Sequence, residues 1–321
     1  MKVIAIGGGT GLSTILRGLK NKGLELTAIV AVTDEGGSSG KIRQELNVPP
    51  PGDVRNNIIA LARDESLMSR LFSYRFSTNG SLSQHSVGNI ILAALTMMTG
   101  SFAKAVRYAC DILAIEGKVL PVCEQLIRLV AFYSDGSVVV GETEISKKVD
   151  ARIVSVRLDK KVQALEEVIR EISQADAVLL GPGSLYTSVI TNLLVEGVAE
   201  SIRDNKKAKK IYIANIMTQP GETIGFSLED HVSEIEKYLK TELDYVVANN
   251  TLPPKDVLLS YAKQRAEPVL PRGHVDKRYL FYDLLEITYE PNDPRPKARH
   301  NPVITAKILT NLLGERSFSE K

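Results

Sequence analysis

The chain has 321 residues, of which 44% are hydrophobic and 24% charged, and its formal net charge is +2. These values are ordinary for a globular protein, and the small net charge argues against a dedicated nucleic-acid partner. The most apolar stretch, residues 90–98, is too short to span a bilayer. Cys110 and Cys123 are the only cysteines and lack a metal-ligand spacing, so we expect no structural zinc and a reduced, cytoplasmic compartment.

The first forty residues have the pattern of a parallel α/β protein. Met1 and Lys2 lead directly into a β-rich run at 2–7, so we expect no secretory signal. Residues 12–20 have helical spacing, and residues 26–34 form a second strand-like run. Strand, glycine turn, helix and strand in this order begin a parallel sheet, whose strands are buried on both faces and therefore nearly continuous in apolar character.

The rest of the chain alternates between helical and strand patterns. In chain order, the predicted elements are helices at 53–75 and 85–116 with a polar loop at 77–84, two strands within 126–145 around a turn at 134–136, a strand at 151–159, buried strands at 177–183, 209–216 and 243–250, and a closing amphipathic helix at 301–315. No linker composition marks a domain boundary.

We therefore predict a single domain over residues 1–321, of the α/β class. Its Rossmann-like, mostly parallel sheet is formed by residues of about 1–50 and 150–250. A helical insertion occupies about 53–116, and a β-hairpin near 126–145 extends the sheet.

The stretch GGGTGLS at 7–13 lies between a strand and a helix. Glycines allow backbone N–H groups to approach an anion, and the start of a helix adds free N–H groups and a positive dipole end. The pattern predicts a phosphate or pyrophosphate contact at Gly8, Gly9, Thr10 and Gly11. It meets neither the dinucleotide fingerprint nor the Walker A pattern, and the alternative is a tight turn without a ligand.

The stretch GPGSLYTS at 181–188 repeats this arrangement after another buried strand. Gly181 and Gly183 flank a proline, and Ser184 follows at the start of a helix. Ser184 is also a plausible helix N-cap, so the signal is partly structural. Two such turns at strand ends in one sheet are expected to face the same crevice.

The stretch AVTDEGGSSG at 31–40 places two acids before a glycine- and serine-rich segment. Asp34 stands where a nucleotide-binding sheet often has an acid for a ribose hydroxyl, and the pair Asp34 and Glu35 can also hold Mg²⁺ beside a nucleotide diphosphate. The alternative is a turn acid that caps its own loop. We expect residues 36–40 to be a mobile loop over a bound diphosphate.

Further polar residues stand at predicted helix starts and strand ends. Asp53 is placed to cap a helix, with Arg55 and Asn56 in its first turn, where they can reach a phosphate or a base. His85 or Ser86 can cap the next helix, and for His85 a structural role is favoured over a catalytic one. Asn215 and Asn249 end two later strands and are expected to point into the crevice, although Asn there can simply turn the chain.

In this order, GGGTGLS, DEGGSSG, PPGDVRNN, HSVGN, GPGSLYTS and NIMTQPGET resemble the bacterial gluconeogenesis factor family (YvcK-like proteins), which is similar to the 2-phospho-L-lactate transferases (CofD). The resemblance covers residues 3 to about 250. One departure is that the family usually carries Asp-Asp where this chain has Asp34-Glu35. The resemblance implies a Rossmann-like fold, a cytoplasmic location, a role in cell shape and growth on gluconeogenic carbon sources, and binding of a UDP-sugar type of nucleotide-sugar.

The resemblance also implies a set of ligand-binding residues: Gly9, Thr10, Gly11, Asp34, Glu35, Asp53, Asn56, Asn89, Gly183, Ser184 and Asn215. Two functions stay open. One is a regulator that binds a nucleotide-sugar without chemistry, which the lack of a Ser-His-Asp or Cys-His arrangement favours. The other is a phosphotransferase of the phospholactate type that uses a nucleoside-diphosphate-linked donor and Mg²⁺. A dinucleotide ligand such as NAD is disfavoured by the broken fingerprint, and the sequence is compatible with a homo-oligomer.

Overall fold

The structure is a computed structural model and describes residues 1–63, 67–77, 79–290 and 293–314. Parts of three predicted elements therefore lie outside the described residues: positions 64–66 of the helical stretch, position 78 of the polar loop and Glu315 of the closing helix.

Strands and helices alternate along most of the described chain. The strands are β1 (Lys2–Gly7), β2 (Glu25–Val30), β3 (Lys118–Pro121), β4 (Leu129–Tyr133), β5 (Val138–Val140), β6 (Ile153–Leu158), β7 (Ala177–Leu180), β8 (Lys209–Ile213), β9 (Tyr245–Asn249), β10 (Tyr279–Tyr282), β11 (Leu285–Glu290) and β12 (Asp293–His300). The helices are α1 (Gly9–Leu19), α2 (Gly37–Leu46), α3 (Gly52–Leu61), α4 (Leu67–Ser73), α5 (Val87–Thr99), α6 (Phe102–Ile112), α7 (Glu142–Lys147), α8 (Glu166–Ser173), α9 (Thr191–Leu193), α10 (Val198–Asp204), α11 (Leu228–Leu239), α12 (Lys255–Ala262) and α13 (Pro302–Gly314), and a π-helix, Leu185–Ile190, precedes α9.

Seven strands form one parallel sheet in the order β10-β9-β8-β7-β1-β2-β3, which confirms the predicted α/β class. In the centre of the sheet, Ala5 of β1 pairs with Ala28 of β2 and Leu179 of β7. The chain adds β2 and β3 on one side of β1, and β7 to β10 on the other. The strand order therefore reverses between β1 and β7, and this switch point is where open α/β sheets leave a crevice at the carboxyl ends of the strands.

The sheet is buried because its strands carry apolar side chains on both faces. Val3, Ile4, Ala5 and Ile6 of β1 are fully buried, in one hydrophobic cluster with residues of β7 and α13. Helix α1 packs against α3 and α13, and Gly18 allows close approach because a Cβ there would overlap the carbonyl of Pro302. Among the described helices, none has both the length and the apolar character needed to cross a membrane.

The helical insertion at about 53–116 is present as α3, α4, α5 and α6. Side-chain caps start two of these helices: Ser86 accepts from the N–H of Asn89, and Ser101 accepts from the N–H of Lys104. Asp53 is not an N-cap as expected, because Pro51 occupies that position and Asp53 lies in the first turn of α3.

The hairpin predicted within 126–145 is present as β4 and β5, but it does not lengthen the parallel sheet. It pairs with β6 in a separate antiparallel sheet of order β5-β4-β6. The sequence analysis did not predict β3, β10 or the antiparallel pair β11-β12. The division of the chain into a single domain stays a prediction.

Candidate functional site

A crevice of about 370 Å³ opens at the switch point of the sheet, and we call it the switch-point crevice. Of the residues predicted to bind a ligand, it is lined by Gly8, Gly9, Thr10, Gly11, Asp34, Asp53, Gly183, Ser184 and Asn215. The two glycine turns therefore do face one crevice. They also touch, since a Cβ on Gly11 would lie 2.6 Å from the carbonyl oxygen of Pro182.

The first glycine turn leaves the start of α1 open to the crevice. Its N-cap, Gly8, makes no side-chain cap, and the first turn of the helix carries no acidic residue. Gly9 has a φ of +64°, and a Cβ built there would meet no atom within 4 Å. The N–H of Gly9 donates to the Asp53 carboxylate. Beyond that bond, the positive end of α1 faces open space, the usual arrangement of a phosphate site.

The second glycine turn differs, because the helix after it is capped by the protein itself. One carboxylate oxygen of Glu222, Oε2, accepts from the backbone N–H groups of Tyr186 (2.9 Å) and Thr187 (3.2 Å), and the other, Oε1, accepts from the Thr187 hydroxyl (2.9 Å). Burial raises the pKa of Glu222, and these hydrogen bonds oppose that rise. The start of this helix therefore has little to offer an anion.

What this second turn presents to the crevice is a set of neutral polar groups. Ser184 makes no side-chain cap, and its Oγ accepts from Gln219 Nε2 at 2.9 Å. The N–H of Gly183 donates to Asn215 Oδ1 at 3.4 Å, and Asn215 Nδ2 donates to Gln219 Oε1 at 3.3 Å. Gly181 shapes the turn but is not among the residues that line the crevice. Hydroxyl and amide groups of this kind suit a polyol.

In the crevice, Asp34 lies with Asp53 rather than with its neighbour in sequence, Glu35. Glu35 lies beside Arg128, with 2.9 Å between its Oε1 and the arginine Nε, and does not line the crevice. Burial, and after it the charge of Asp34, raises the pKa of Asp53 from 3.8 to about 7. Glu142 also lines the crevice, and burial followed by repulsion from Asp53 and Asp34 raises its pKa well above the ordinary value.

These acids fit Mg²⁺ only together with a ligand. In the described ranges, no group of three or more His, Cys, Asp or Glu side chains could hold a metal ion. Mg²⁺, however, is often bound by one or two carboxylates together with phosphate oxygens and water. Asp34 and Asp53 meet that condition beside the open end of α1, whereas Glu35, bound to Arg128, is turned to a different partner.

A second, smaller crevice of about 250 Å³ adjoins the first, and we call it the side crevice. Both crevices are lined by Asp34 and Asp53, which stand where they meet. Two other predicted site residues, Asn56 and Asn89, line only the side crevice. The structure thus divides the predicted site residues between two neighbouring spaces.

The expected mobile loop at 36–40 is wrong, because α2 begins at Gly37. Ser38 and Ser39 are buried, and Ser38 Oγ accepts from Asn89 Nδ2 at 3.0 Å and lies 3.1 Å from Nδ1 of His85. The segment is therefore a packed helix start that forms one wall of the side crevice.

Asn249 also differs from the prediction. Its Oδ1 accepts from the N–H of Leu284 and its Nδ2 donates to the carbonyl of Thr251. Asn249 therefore stabilises the backbone around it and does not line the crevice.

Sequence analysis missed several residues of the switch-point crevice. They come from the start of α7, the loop after β8, α12 and the residues just after it, and β12: Glu142, Gln219, Tyr261, Gln264, Lys297, Arg299 and His300. Gln219 lies within the MTQPGET loop, which was expected at this edge. For the residues of β12, the sequence DPRPKARH lacks the alternation of apolar and polar residues that indicates a strand.

The fold and the site define a doubly wound parallel α/β protein with a glycine-rich ligand crevice at the switch point of its sheet. Comparison with known proteins narrows this class. The profile of the family described as 2-phospho-L-lactate transferase CofD matches residues 3–279. A protein of Thermotoga maritima is 52% identical over 314 residues, which are 97% of this chain and 99% of that protein.

One further relative and one crystal structure indicate the same family. A protein of Bacillus subtilis named gluconeogenesis factor is 44% identical over 270 residues, 84% of each chain. A crystal structure of a Bacillus halodurans protein of the UPF0052 family has a TM-score of 0.87 and 41% identity, covering 96% of this chain and 98% of that one. The chain belongs to the bacterial gluconeogenesis factor family, which is related to CofD, as the resemblance predicted.

Proposed function

We propose that this protein is a gluconeogenesis factor that binds a nucleotide-sugar of the UDP-sugar type in the switch-point crevice. In this proposal it acts in the cytoplasm and has a role in cell shape and in growth on gluconeogenic carbon sources. One observation carries the binding proposal. The start of α1 opens into the crevice at Gly9, beside the Asp53 carboxylate, and another part of the wall carries hydroxyl and amide groups. A diphosphate followed by a sugar matches that order of groups.

The difference between the two turns gives the ligand a direction. The diphosphate lies at the start of α1, where no acidic residue occupies the first turn. The sugar lies toward Ser184, Asn215 and Gln219, because Glu222 already satisfies the helix start behind them. Asp34 and Asp53 would hold Mg²⁺ with the diphosphate oxygens, and the ion would offset the negative charge that they and the ligand share.

A pair of glycine variants tests the anion site. Gly9 and Gly23 both have positive φ, +64° and +71°, and a Cβ on either would meet no atom within 4 Å. Gly9→Ala and Gly23→Ala should therefore lose similar stability, roughly 1–2 kcal/mol for an alanine in the left-handed region. Only Gly9→Ala places its methyl group where the phosphate is expected.

The measurement is isothermal titration calorimetry with UDP-glucose, beside the melting temperature of each variant. We expect at least a roughly ten-fold loss of affinity in Gly9→Ala, about 1.4 kcal/mol, and wild-type affinity in Gly23→Ala. Equal affinities in the two variants would refute the anion site at residues 8–11. A thermal-shift series with UDP-, GDP- and NAD-type ligands, with and without Mg²⁺, identifies the base, since a ligand of the folded state raises its stability.

The alternative function is a phosphotransferase of the phospholactate type. It is favoured by the position of Asp34 and Asp53 between two crevices, an arrangement that suits a donor on one side and an acceptor on the other. The test is incubation of the wild-type protein with guanosine-diphosphate-linked phospholactate, a deazaflavin acceptor and Mg²⁺. Product over multiple turnovers that disappears in Asp34→Asn would establish the transferase and overturn a purely binding role.

A further inference from the structure

The side crevice contains a buried cation that lacks a carboxylate partner. Arg55 is 5% exposed, and its hydrogen bonds go to neutral oxygens: Nη1 donates to Ser86 Oγ and Asn89 Oδ1, and Nη2 donates to Asn56 Oδ1. Its Nε has no hydrogen-bond partner, and within the described ranges no carboxylate forms an ion pair with it. Burial, and after it the charge of Arg75, lowers the pKa of Arg55 to about 10. The charges of Asp53 and Asp34 raise that pKa without forming an ion pair with Arg55, so an anion in direct contact would offset the cost of burying this guanidinium.

Other groups with affinity for an anion surround it. The start of the ten-residue helix α2 faces the crevice; the N–H of its N-cap, Gly36, donates to Asp34 Oδ1 at 2.8 Å, and the helix has no acidic residue in its first turn. Ser39 lines the crevice and is 3% exposed. Helix N-termini, serine hydroxyls and arginines are the usual ligands of a phosphate group.

Arg75 supplies a second cation at the same crevice. Its backbone bridges to Ser86, which keeps it beside the start of α5, and its Nη1 donates to the carbonyl of Gln84 at 2.9 Å. The side chain is exposed and, in the part of the chain that the structure describes, pairs with no carboxylate. The side crevice is therefore lined by two carboxylates, Asp34 and Asp53, and by two arginines.

We propose that the side crevice binds a compact phosphate-bearing anion between Arg55, Arg75 and the start of α2, as a second ligand beside the nucleotide-sugar. The volume of about 250 Å³ suits a small phosphorylated molecule rather than a nucleotide. A purely structural role for Arg55, which joins α3 to α5, would explain its bonds to Asn56 and Asn89 but not its buried Nε, which has no hydrogen-bond partner.

The probe is inorganic phosphate, titrated by calorimetry at low ionic strength. Arg75→Gln removes a charge without a buried contact, and Arg17→Gln is the matched control, because Arg17 is an exposed arginine in the last turn of α1. Phosphate should bind the wild type, and Arg75→Gln should weaken it about ten-fold with an unchanged melting temperature. Arg17→Gln should bind as the wild type does.

Two further arms separate the side crevice from the anion site of α1. Phosphate should still bind when the nucleotide site is saturated with UDP-glucose, and should still bind Gly9→Ala. Ser39→Ala gives a second, conservative change in the side crevice and should also weaken binding. No phosphate binding to the wild type, equal binding in Arg75→Gln and Ser39→Ala, or loss of binding in Gly9→Ala would overturn the proposal. The comparisons of the wild type with Arg75→Gln, Ser39→Ala, Arg17→Gln and Gly9→Ala do not require that UDP-glucose bind, so the two proposals fail separately.

Discussion

The substitution Asp53→Asn should stabilise the folded protein at high pH. Burial and the neighbouring Asp34 raise the pKa of Asp53 from 3.8 to about 7, so the folded state holds this proton more tightly than the unfolded chain does. Stability from the protonated carboxyl is fully present below pH 3.8 and is lost as pH rises through about 7. Asparagine is neutral at every pH, has the same shape, and its oxygen can still accept from the N–H of Gly9.

The magnitude follows from the pKa difference. The interval from 3.8 to about 7 is about three pH units, and each unit is worth about 1.4 kcal/mol. The largest expected gain in the free energy of unfolding is therefore roughly 4 kcal/mol at pH 8. The amide lacks the charge-assisted bond that the carboxylate makes with Gly9, a difference of about 1 kcal/mol, so we expect a gain of about 2–3 kcal/mol at pH 8 and little change at pH 4.

The assay is urea unfolding of both proteins at pH 4 and pH 8, analysed by linear extrapolation. Asp135→Asn is a control of opposite sign, since hydrogen bonds from Ser137 and Lys148 lower the pKa of Asp135, and its loss should destabilise the protein at pH 8. A loss of stability of equal size at both pH values in Asp53→Asn would refute the reasoning. The same variant should lose the Mg²⁺-dependent part of UDP-glucose binding, since a site that costs stability often serves a ligand.

Two further predictions concern the second glycine turn. Ser184→Gly should keep a near-normal melting temperature, because Ser184 makes no helix cap, but should weaken UDP-glucose binding by about 0.5–1.5 kcal/mol in calorimetry; unchanged affinity would leave Ser184 as scaffold. Thr187→Val removes the hydroxyl that donates to the buried Glu222 carboxylate at 2.9 Å, a hydrogen bond that lowers the pKa of Glu222. Its loss should destabilise the protein by about 1.5–3 kcal/mol, with a smaller effect at lower pH, because the bond favours the ionised carboxylate. Urea unfolding at pH 4 and pH 8 measures both, and an effect independent of pH would contradict the assigned bond.

The sequence by itself determined the five inner strands of the parallel sheet and its glycine turns. Runs such as KVIAIG and AVLLG are apolar on both faces, which only a parallel strand covered on both sides accommodates, and the glycines after them mark tight turns into helices. Since the carboxyl ends of parallel strands share one edge, the meeting of Gly9 and Gly183 in one crevice also followed from the pattern.

Predictions from local residue preferences were wrong at residues 36–40 and missed the last strands. Glycine and serine disfavour helix interiors, so the sequence predicted a loop where α2 begins. The helix start is held instead by long-range bonds from Asn89 to Ser38 and by burial of Ser39. The two prolines and the charged residues of β12 are likewise untypical of a strand, and antiparallel pairing with β11 stabilises it.

Only the tertiary structure decided which acids share the site. Asp34 and Glu35 are neighbours in sequence, yet one side chain lines the crevice and the other pairs with Arg128. The acid that joins Asp34 comes from α3, and the carboxylate that caps the second turn, Glu222, comes from a loop beyond β8. Sequence patterns report contacts between residues a few positions apart, whereas the charge, burial and pKa of a site depend on side chains that folding brings together from distant segments.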